Sequence, residues 1–498
     1  MIANFLTALG EISPFILVLT LVGVVIGIIF GAIPGLSTTM AIALCLPLTF
    51  KMDMFPGLAL LIGLYIGGFS GGLISAILLN VPGTAASIAT CFDGHPMARK
   101  GQAGKAMGLG IVFSFLGGAF SIIALIFISP LLASLAIQFG SFEYFSLCFF
   151  ALTMIITMSS TNVAKNIASG LIGILTAMVG TDPIDAMPRF HFGITDLTGG
   201  FNDVAVMVGI FAVSELFILA WNRSRTPENM TVSTYKIKGF GFSLQEFWAE
   251  KVNFLRSSVI GTLIGILPGI GGSLASIVSY NTAKKTSRHP EQFGTGINAG
   301  VVASETANNA AIGGAMIPML SLGIPGDAVT AILIGAFTMK GVQPGPLMFT
   351  DHADIVYFIF LALIIANIFM LVAEFLSIRG FVQLLRIPKT MLFPIIIFMC
   401  ILGAYGLNHR LFDVITIFIF GVLGFLMKKW GMQFQPFIIG FIVGPMAEKN
   451  FRAALMFSSG SFMPFLTSPI SLFFLIIAFG SIGMAIYKHF KNKKASKT

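Results

Sequence analysis

GILPGIGGSLASIVSYN, residues 265–281, sets a proline and several glycines inside a stretch otherwise apolar enough to lie in a membrane. Lipid supplies no water to pair a freed peptide group, so a spanning segment must satisfy its backbone internally. Proline removes a donor and clashes with the preceding turn, and glycine lets the chain reverse at little steric cost. The pair therefore predicts a broken or re-entrant helix, which is tolerated at membrane depth only when buried in protein or lining a watery cavity. The stretch has a counterpart. GAIPGLSTTMA (residues 31–41) matches GILPGIGGSLA (residues 265–275) with Gly, Pro, Gly and Ala in register. LNVPGTA (residues 79–85) likewise matches LGIPGDA (residues 322–328), and Lys100-Gly101 corresponds to Lys340-Gly341 after a three-residue adjustment. The identities are few, and it is their order and spacing that predict an internal repeat.

Composition places the whole chain in the same setting. Of 498 residues, 56% are hydrophobic and 10% charged, and the mean hydropathy is +0.94. That leaves too little polar residue to cover a water-facing globule. Apolar runs recur near residues 14–50, 58–79, 107–133, 142–157, 204–221, 355–378, 392–405, 414–427 and 470–487. They predict an all-α polytopic membrane protein of about ten to twelve transmembrane helices. No polar block exceeds residues 222–256, so one transmembrane domain with no appended enzyme is expected. A removable signal peptide is not expected, because the first 13 residues carry no Lys or Arg. The formal charge of +9 sits in short loops, where it orients spans in the bilayer rather than binding nucleic acid. Cys45, Cys91, Cys148 and Cys400 stand singly without CxxC spacing, and the six histidines form no HExxH, so neither a disulfide framework nor a metal site is indicated.

Loop charges give an orientation. Arg99, Lys100 and Lys105, then Lys284, Lys285 and Arg288, then the basic residues of 222–256, are expected on the cytoplasmic side. Residues 181–203 hold four aspartates against Arg189, and Asp351 and Asp354 have no basic neighbour, so both stretches are expected outside. The short turn at Lys51–Asp53 is expected outside as well, while its partner at Lys284–Arg288 is expected inside, so the repeat reads as inverted, a hallmark of secondary transporters. The organisation that follows is a first transmembrane repeat over residues 1–221 and a cytoplasmic linker over 222–256, whose stretch 242–255 has the pattern of an interfacial amphipathic helix. A second repeat covers 257–466, and an extra helix with a basic cytoplasmic tail covers 467–498.

Four of the six Pro-Gly pairs lie in the matched stretches: Pro34-Gly35, Pro82-Gly83, Pro268-Gly269 and Pro325-Gly326. Small or hydroxylated residues follow them, namely Ser37, Thr38 and Thr39; Thr84; Gly271, Gly272 and Ser273; and Asp327. Half-helices starting there would aim free N–H groups, hydroxyls and the positive ends of their dipoles at the middle of the membrane. One such start contributes about 0.3–1 kcal/mol toward an anion when exposed and up to about 2 when partly buried. Several converging starts could hold a multiply charged carboxylate without a buried Arg, and these residues, Asp327 apart, are the candidate substrate-binding set. Capping of ordinary helices is the competing reading of each pair.

A second candidate group lies in VVASETANNAAIGGAMIPMLSLGIPGDA, residues 301–328. Glu305, Asn308 and Asn309 stand at i, i+3 and i+4, on one helical face of an otherwise apolar segment. Their oxygens suit a hard cation such as sodium, and the carboxylate alone suits a proton. Two further readings stay open here: the trio serves helix packing, and Asp327 is either an N-cap or a further coupling-ion ligand.

The stretches GILPGIGG, ASETANNAAIGGAMIPMLSLGIPG and KGVQPGPL (residues 340–347) resemble the large membrane subunit of the tripartite tricarboxylate transporters, the TctA family. The resemblance runs over essentially the whole chain. It implies a multi-pass protein of the bacterial inner membrane that works with a small four-helix membrane subunit and a periplasmic solute-binding protein. It further implies ion-coupled uptake of citrate or related carboxylates, with sodium as the expected coupling ion and no cofactor. Two other classes compete with that expectation. An intramembrane enzyme would need a nucleophile–base or metal-ligand constellation, and the sequence has no HExxH and no deep histidine to serve as a base. A channel is compatible with re-entrant loops but is usually built from oligomeric pore elements rather than an inverted pairing.

Overall fold

The computed structural model of the chain describes residues 2–157, 163–221, 241–384 and 389–495. Residues 222–240 of the expected linker, and the last three of the basic tail, lie outside the described residues. Helix dominates, and the strands among the described residues form one short hairpin, Gly180–Thr181 paired antiparallel with Pro188–Arg189. Six described helices are long and apolar enough to cross a membrane, Pro14–Ala32, Met54–Leu79, Ala85–Ala136, Asp203–Trp221, Ala353–Leu376 and Leu411–Lys429, with shorter apolar helices between them. The protein is an all-α, multi-pass membrane protein.

The same order of elements occurs twice. Pro14–Ala32, Thr38–Cys45, Met54–Leu79, Ile88–Met97 and Ala103–Ala136 correspond in turn to Lys251–Ile266, Gly271–Thr286, Asn298–Leu322, Ala328–Met339 and Ala353–Leu384. Small residues set the closest packing in both sets. A side chain at Gly27 or Gly71 would run into the backbone of Leu64 or Ile28 across the Pro14–Ala32 and Met54–Leu79 interface. Gly265, facing Ala311, does the same in the second set. Without a hydrophobic force between helices in lipid, such seams let backbones approach and gain dispersion contacts.

The contacts also show what kind of break each Pro-Gly makes. Thr38 lies against Gly68 and Thr49 against Gly57, so the arm after Pro34 runs back along Met54–Leu79, opposite to the arm before it. Residues 14–51 are thus a re-entrant hairpin with its tip at Pro34-Gly35. Gly271–Thr286 returns along Asn298–Leu322 in the same manner, Ala275 meeting Ala307 and Ala311, and Tyr280 packing in one cluster with Ala303. The second pair of breaks differs. Beyond Leu79 the chain folds back so that Gly83 sits against Gly72 and the Gly31 carbonyl, then restarts. Beyond Leu322 it folds back so that Gly326 sits against Ala315.

The two central helices run antiparallel. Following one from Tyr65 to Phe69 to Leu73, the partners on the other side pass from Asp327 to Asn308 to the Glu305 region. Equivalent helices pointing in opposite directions make the repeat an inverted one. Helix Pro469–Ala495 stands outside both sets and packs on Ser141–Thr157.

Candidate functional site

All four breaks meet at one cavity of about 140 Å³. Ser37, Thr38 and Thr39 line it from the first hairpin, Thr84 from the first broken span, Gly269, Gly271, Gly272 and Ser273 from the second hairpin, and Asp327 from the second broken span. Pro34, Gly35, Pro82, Gly83, Pro268, Pro325 and Gly326 do not line it. They shape the turns behind it: Gly35 and Gly269 hold φ of 90° and 77°, and Gly326 offers its carbonyl to the Gly269 N–H at 2.9 Å. That bond joins the two breaks of the second half tip to tip.

Local capping aims the helix starts inward. Ser37 Oγ accepts from the Met40 N–H at 3.2 Å, as a serine N-cap does. Ser87 Oγ donates to the Thr84 carbonyl at 2.9 Å, while Thr84 Oγ1 is buried without a partner. Gly271 begins its helix with φ of 63°, and a side chain on Gly272 would meet Phe69 and the Asn308 amide oxygen. Helix starts, hydroxyls and bare backbone therefore surround the space, with no Lys or Arg in its lining among the described residues. Its one ionisable residue among the described residues, Asp327, is the N-cap of Ala328–Met339: Oδ1 accepts the Thr330 N–H and hydroxyl at 2.8 Å each. Oδ2 accepts Tyr65 Oη from the other half at 2.7 Å.

The cation candidates lie behind this wall. Glu305, Asn308 and Asn309 are almost fully buried and do not line the cavity. Thr90 and Ser114 donate to the two oxygens of Glu305, the Ser114 bond being 3.0 Å. The Asn308 amide donates to the Phe69 carbonyl at 3.2 Å and that of Asn309 to the Glu305 carbonyl at 3.2 Å, which leaves both amide oxygens unpartnered. Thr90 belongs to the half-helix that starts at Pro82-Gly83, so one hydroxyl ties the acidic residue of the second half to a break of the first.

A wider vestibule of about 580 Å³ adjoins the cavity and shares Ala85, Ile270, Ser273 and Gln435 with it. Lys428 stands in its lining, 3.1 Å from Glu215. At the opposite end of the same scaffold the short hairpin is held by ion pairs. Glu448 and Arg452 lie about 20 Å farther along Phe434–Phe457, by helix rise. Glu448 accepts Arg189 at 2.5 Å and Arg452 donates to Asp182 at 2.6 Å, which fastens the short hairpin to that helix. N–H groups of Asp185 and Ile184, with Arg452 beyond them, hold the Asp182 carboxyl down at about 2.

Several participants escaped the sequence reading. Phe69, Phe211 and Gln435 line the cavity from spans that carry no motif. Asp93, noted only as a loop charge, is buried and accepts from Tyr280 Oη at 2.8 Å and from the N–H groups of Gly294, Gly296 and Ile297 at 2.7–3.0 Å, joining the halves. Glu374 is fully buried and bonds Ser70 at 3.0 Å. A lone acid inside the apolar run 355–378 was the available signal for it.

Comparison with known proteins agrees with the architecture. An Agrobacterium vitis protein described as an uncharacterized 52.8 kDa protein in the TAR-I ttuC' 3' region is 36% identical over 447 residues, which is 90% of this chain and 88% of that protein. A second A. vitis protein, described as an uncharacterized protein in the TAR-II ttuC' 3' region, is 36% identical over 234 residues, 47% of this chain and 97% of its own length. No solved structure matches the chain. Residues 17–439 match the tripartite tricarboxylate transporter TctA family, a family of transporters that work with other subunits in a lipid bilayer, and the chain belongs to it.

Proposed function

We propose that the protein is an ion-coupled secondary transporter that takes up tricarboxylates or related organic carboxylates as the membrane subunit of a binding-protein-dependent system of the bacterial inner membrane. The observation that carries this reading is the meeting of four interrupted segments, two from each inverted half, at one cavity without a buried base. Substrate carboxylates would take N–H and hydroxyl donors from Ser37, Thr38, Thr39, Thr84, Gly271, Gly272 and Ser273. Lys428 at the vestibule supplies a cation on the path of an anion. Glu305, Asn308 and Asn309 would hold the coupling cation, sodium or a proton, and Asp327 serves the second half-helix as its cap while remaining a candidate ligand. Partners in this reading are a small four-helix membrane subunit and a periplasmic solute-binding protein. The C-terminus is cytoplasmic, on the side of the Lys428 vestibule.

Proteoliposomes holding the chain, its small subunit and its receptor test the reading. Labelled citrate should accumulate only under an imposed sodium or proton gradient. Flux that is indifferent to any ion gradient would sink it in favour of a channel.

A further inference from the structure

Glu374 is not used by the reading above. It lies in Ala353–Leu384 with no exposed surface, and Ser70 Oγ donates to its Oε2 at 3.0 Å. Its Oε1 is buried and has no hydrogen-bond partner. Among the described residues, the helices packed along it bring no basic group to its depth. Pro14–Ala32 and Ile2–Gly10 contain no titratable residue. Met54–Leu79 brings Tyr65, which is bonded to Asp327, and Ala103–Ala136 brings Lys105, which is bonded to Glu246 at the cytoplasmic end. Met348–Asp351 brings Asp351 at the other end. On its own helix Asp354 and Tyr357 lie four turns or more away, and Arg379 follows five residues later with its side chain outside the described residues. Glu305 is the nearby acid: Ser70, which bonds Glu374, stands one turn before Leu73, and the side chains of Leu73 and Glu305 both lie against Gly110.

Two buried carboxyl groups on facing helices, with no cation against either among the described residues, do not both ionise, because each charge is desolvated and repels the other. Their surroundings decide which one keeps the charge. Glu305 has a hydroxyl donor on each oxygen, which suits a carboxylate; Glu374 has one donor and one bare oxygen, which suits a carboxylic acid. We infer that Glu374 is a proton-binding site of the membrane interior, holding its proton while Glu305 is ionised and giving it up to water when a cation or proton arrives at Glu305. Binding converts the carboxylate to the acid at Oε1, and release reverses it. This deepens the transport reading by assigning the coupling acid a partner on the other side of the helix pair.

The test is infrared spectroscopy of the full chain in liposomes without substrate, so it can fail while the transport reading stands, and the reverse. At neutral pH and without sodium the wild type should show the C=O stretch of a protonated, buried carboxyl group. Glu374→Gln should lose that band. Ser70→Ala, which leaves Glu374 in place, should raise its frequency, since the carbonyl loses its donor. In citrate uptake, Glu374→Gln should flatten the pH profile, and Glu374→Asp should restore part of it. A band that survives Glu374→Gln, that ignores Ser70→Ala, or that is absent from the wild type overturns the inference.

Discussion

The two halves share their breaks but not their chemistry. In the register set by LNVPGTA and LGIPGDA, Gly83 falls on Gly326 and Gly72 on Ala315, and each glycine packs against its own partner in that pair. In the same register Glu305, Asn308 and Asn309 fall on Ile62, Tyr65 and Ile66. The first half offers neutral hydroxyls at its helix starts, Ser37 and Thr84; the second offers bare glycines and an acid, Asp327, whose free oxygen is taken by Tyr65 of the first. In the proposed reading inversion supplies a symmetric frame for holding an anion, while the buried acids Glu305, Asp327 and Glu374 all belong to the second half. That division is what an ion-coupled carrier needs, because donors from both halves can follow one substrate through an exchange of access while one half registers the ion.

The largest test of that asymmetry is Glu305→Ala. It removes two hydroxyl bonds to a charged group worth about 1.5–3 kcal/mol each, so gradient-driven uptake should fall on the order of 100-fold or more. Ile62→Val, at the matching position, should leave ion dependence unchanged; an equal effect in uptake assays would abolish the distinction between the halves. The symmetric side is tested by Gly83→Ala and Gly326→Ala. Each added methyl meets backbone, at Gly31 and Ala315 respectively, and each should cost about 1–3 kcal/mol of stability. Thermal unfolding in detergent that registers only one of them would break the pairing of the breaks.

Smaller effects should have opposite signs. Ser37→Ala removes an N-cap worth about 1 kcal/mol and should weaken substrate binding about fivefold. Asp327→Asn keeps the cap acceptor but deletes a negative charge facing the cavity, so calorimetric affinity should improve by a similar factor; weaker binding would mean that the Asp327 charge helps to hold a cation. The smallest effect belongs to the docked hairpin. The Asp182 carboxyl sits below its ordinary value in the folded protein, so its contribution is complete above about pH 4 and fades as pH falls toward 2. Proteolysis at residues 180–189 should rise over that window in the wild type and be high throughout in Asp182→Asn.

Much of this was legible in residues 31–41 and 265–275. Pro-Gly in apolar sequence announced a break, the matched order announced a repeat, and loop charges at Lys51–Asp53 and Lys284–Arg288 announced inversion. The polar face of Glu305, Asn308 and Asn309 was legible too, since helical spacing alone puts those residues together. Tyr65, Asp93 and Glu374 were not, because their partners lie more than 180 residues away in the chain and no local pattern records such a meeting.

Sequence by itself determined that this chain lives in lipid and that its backbone is interrupted at the four Pro-Gly pairs of the matched stretches, because apolar content and the loss of a peptide donor act locally. Only the tertiary structure decided that Pro34 and Pro268 make hairpin tips whereas Pro82 and Pro325 make folded-back spans, and that all four look into one space. A freed N–H group must be satisfied somewhere, but where depends on which distant helix packs beside it, and that is settled by the whole assembly of glycine seams rather than by the dipeptide that frees it.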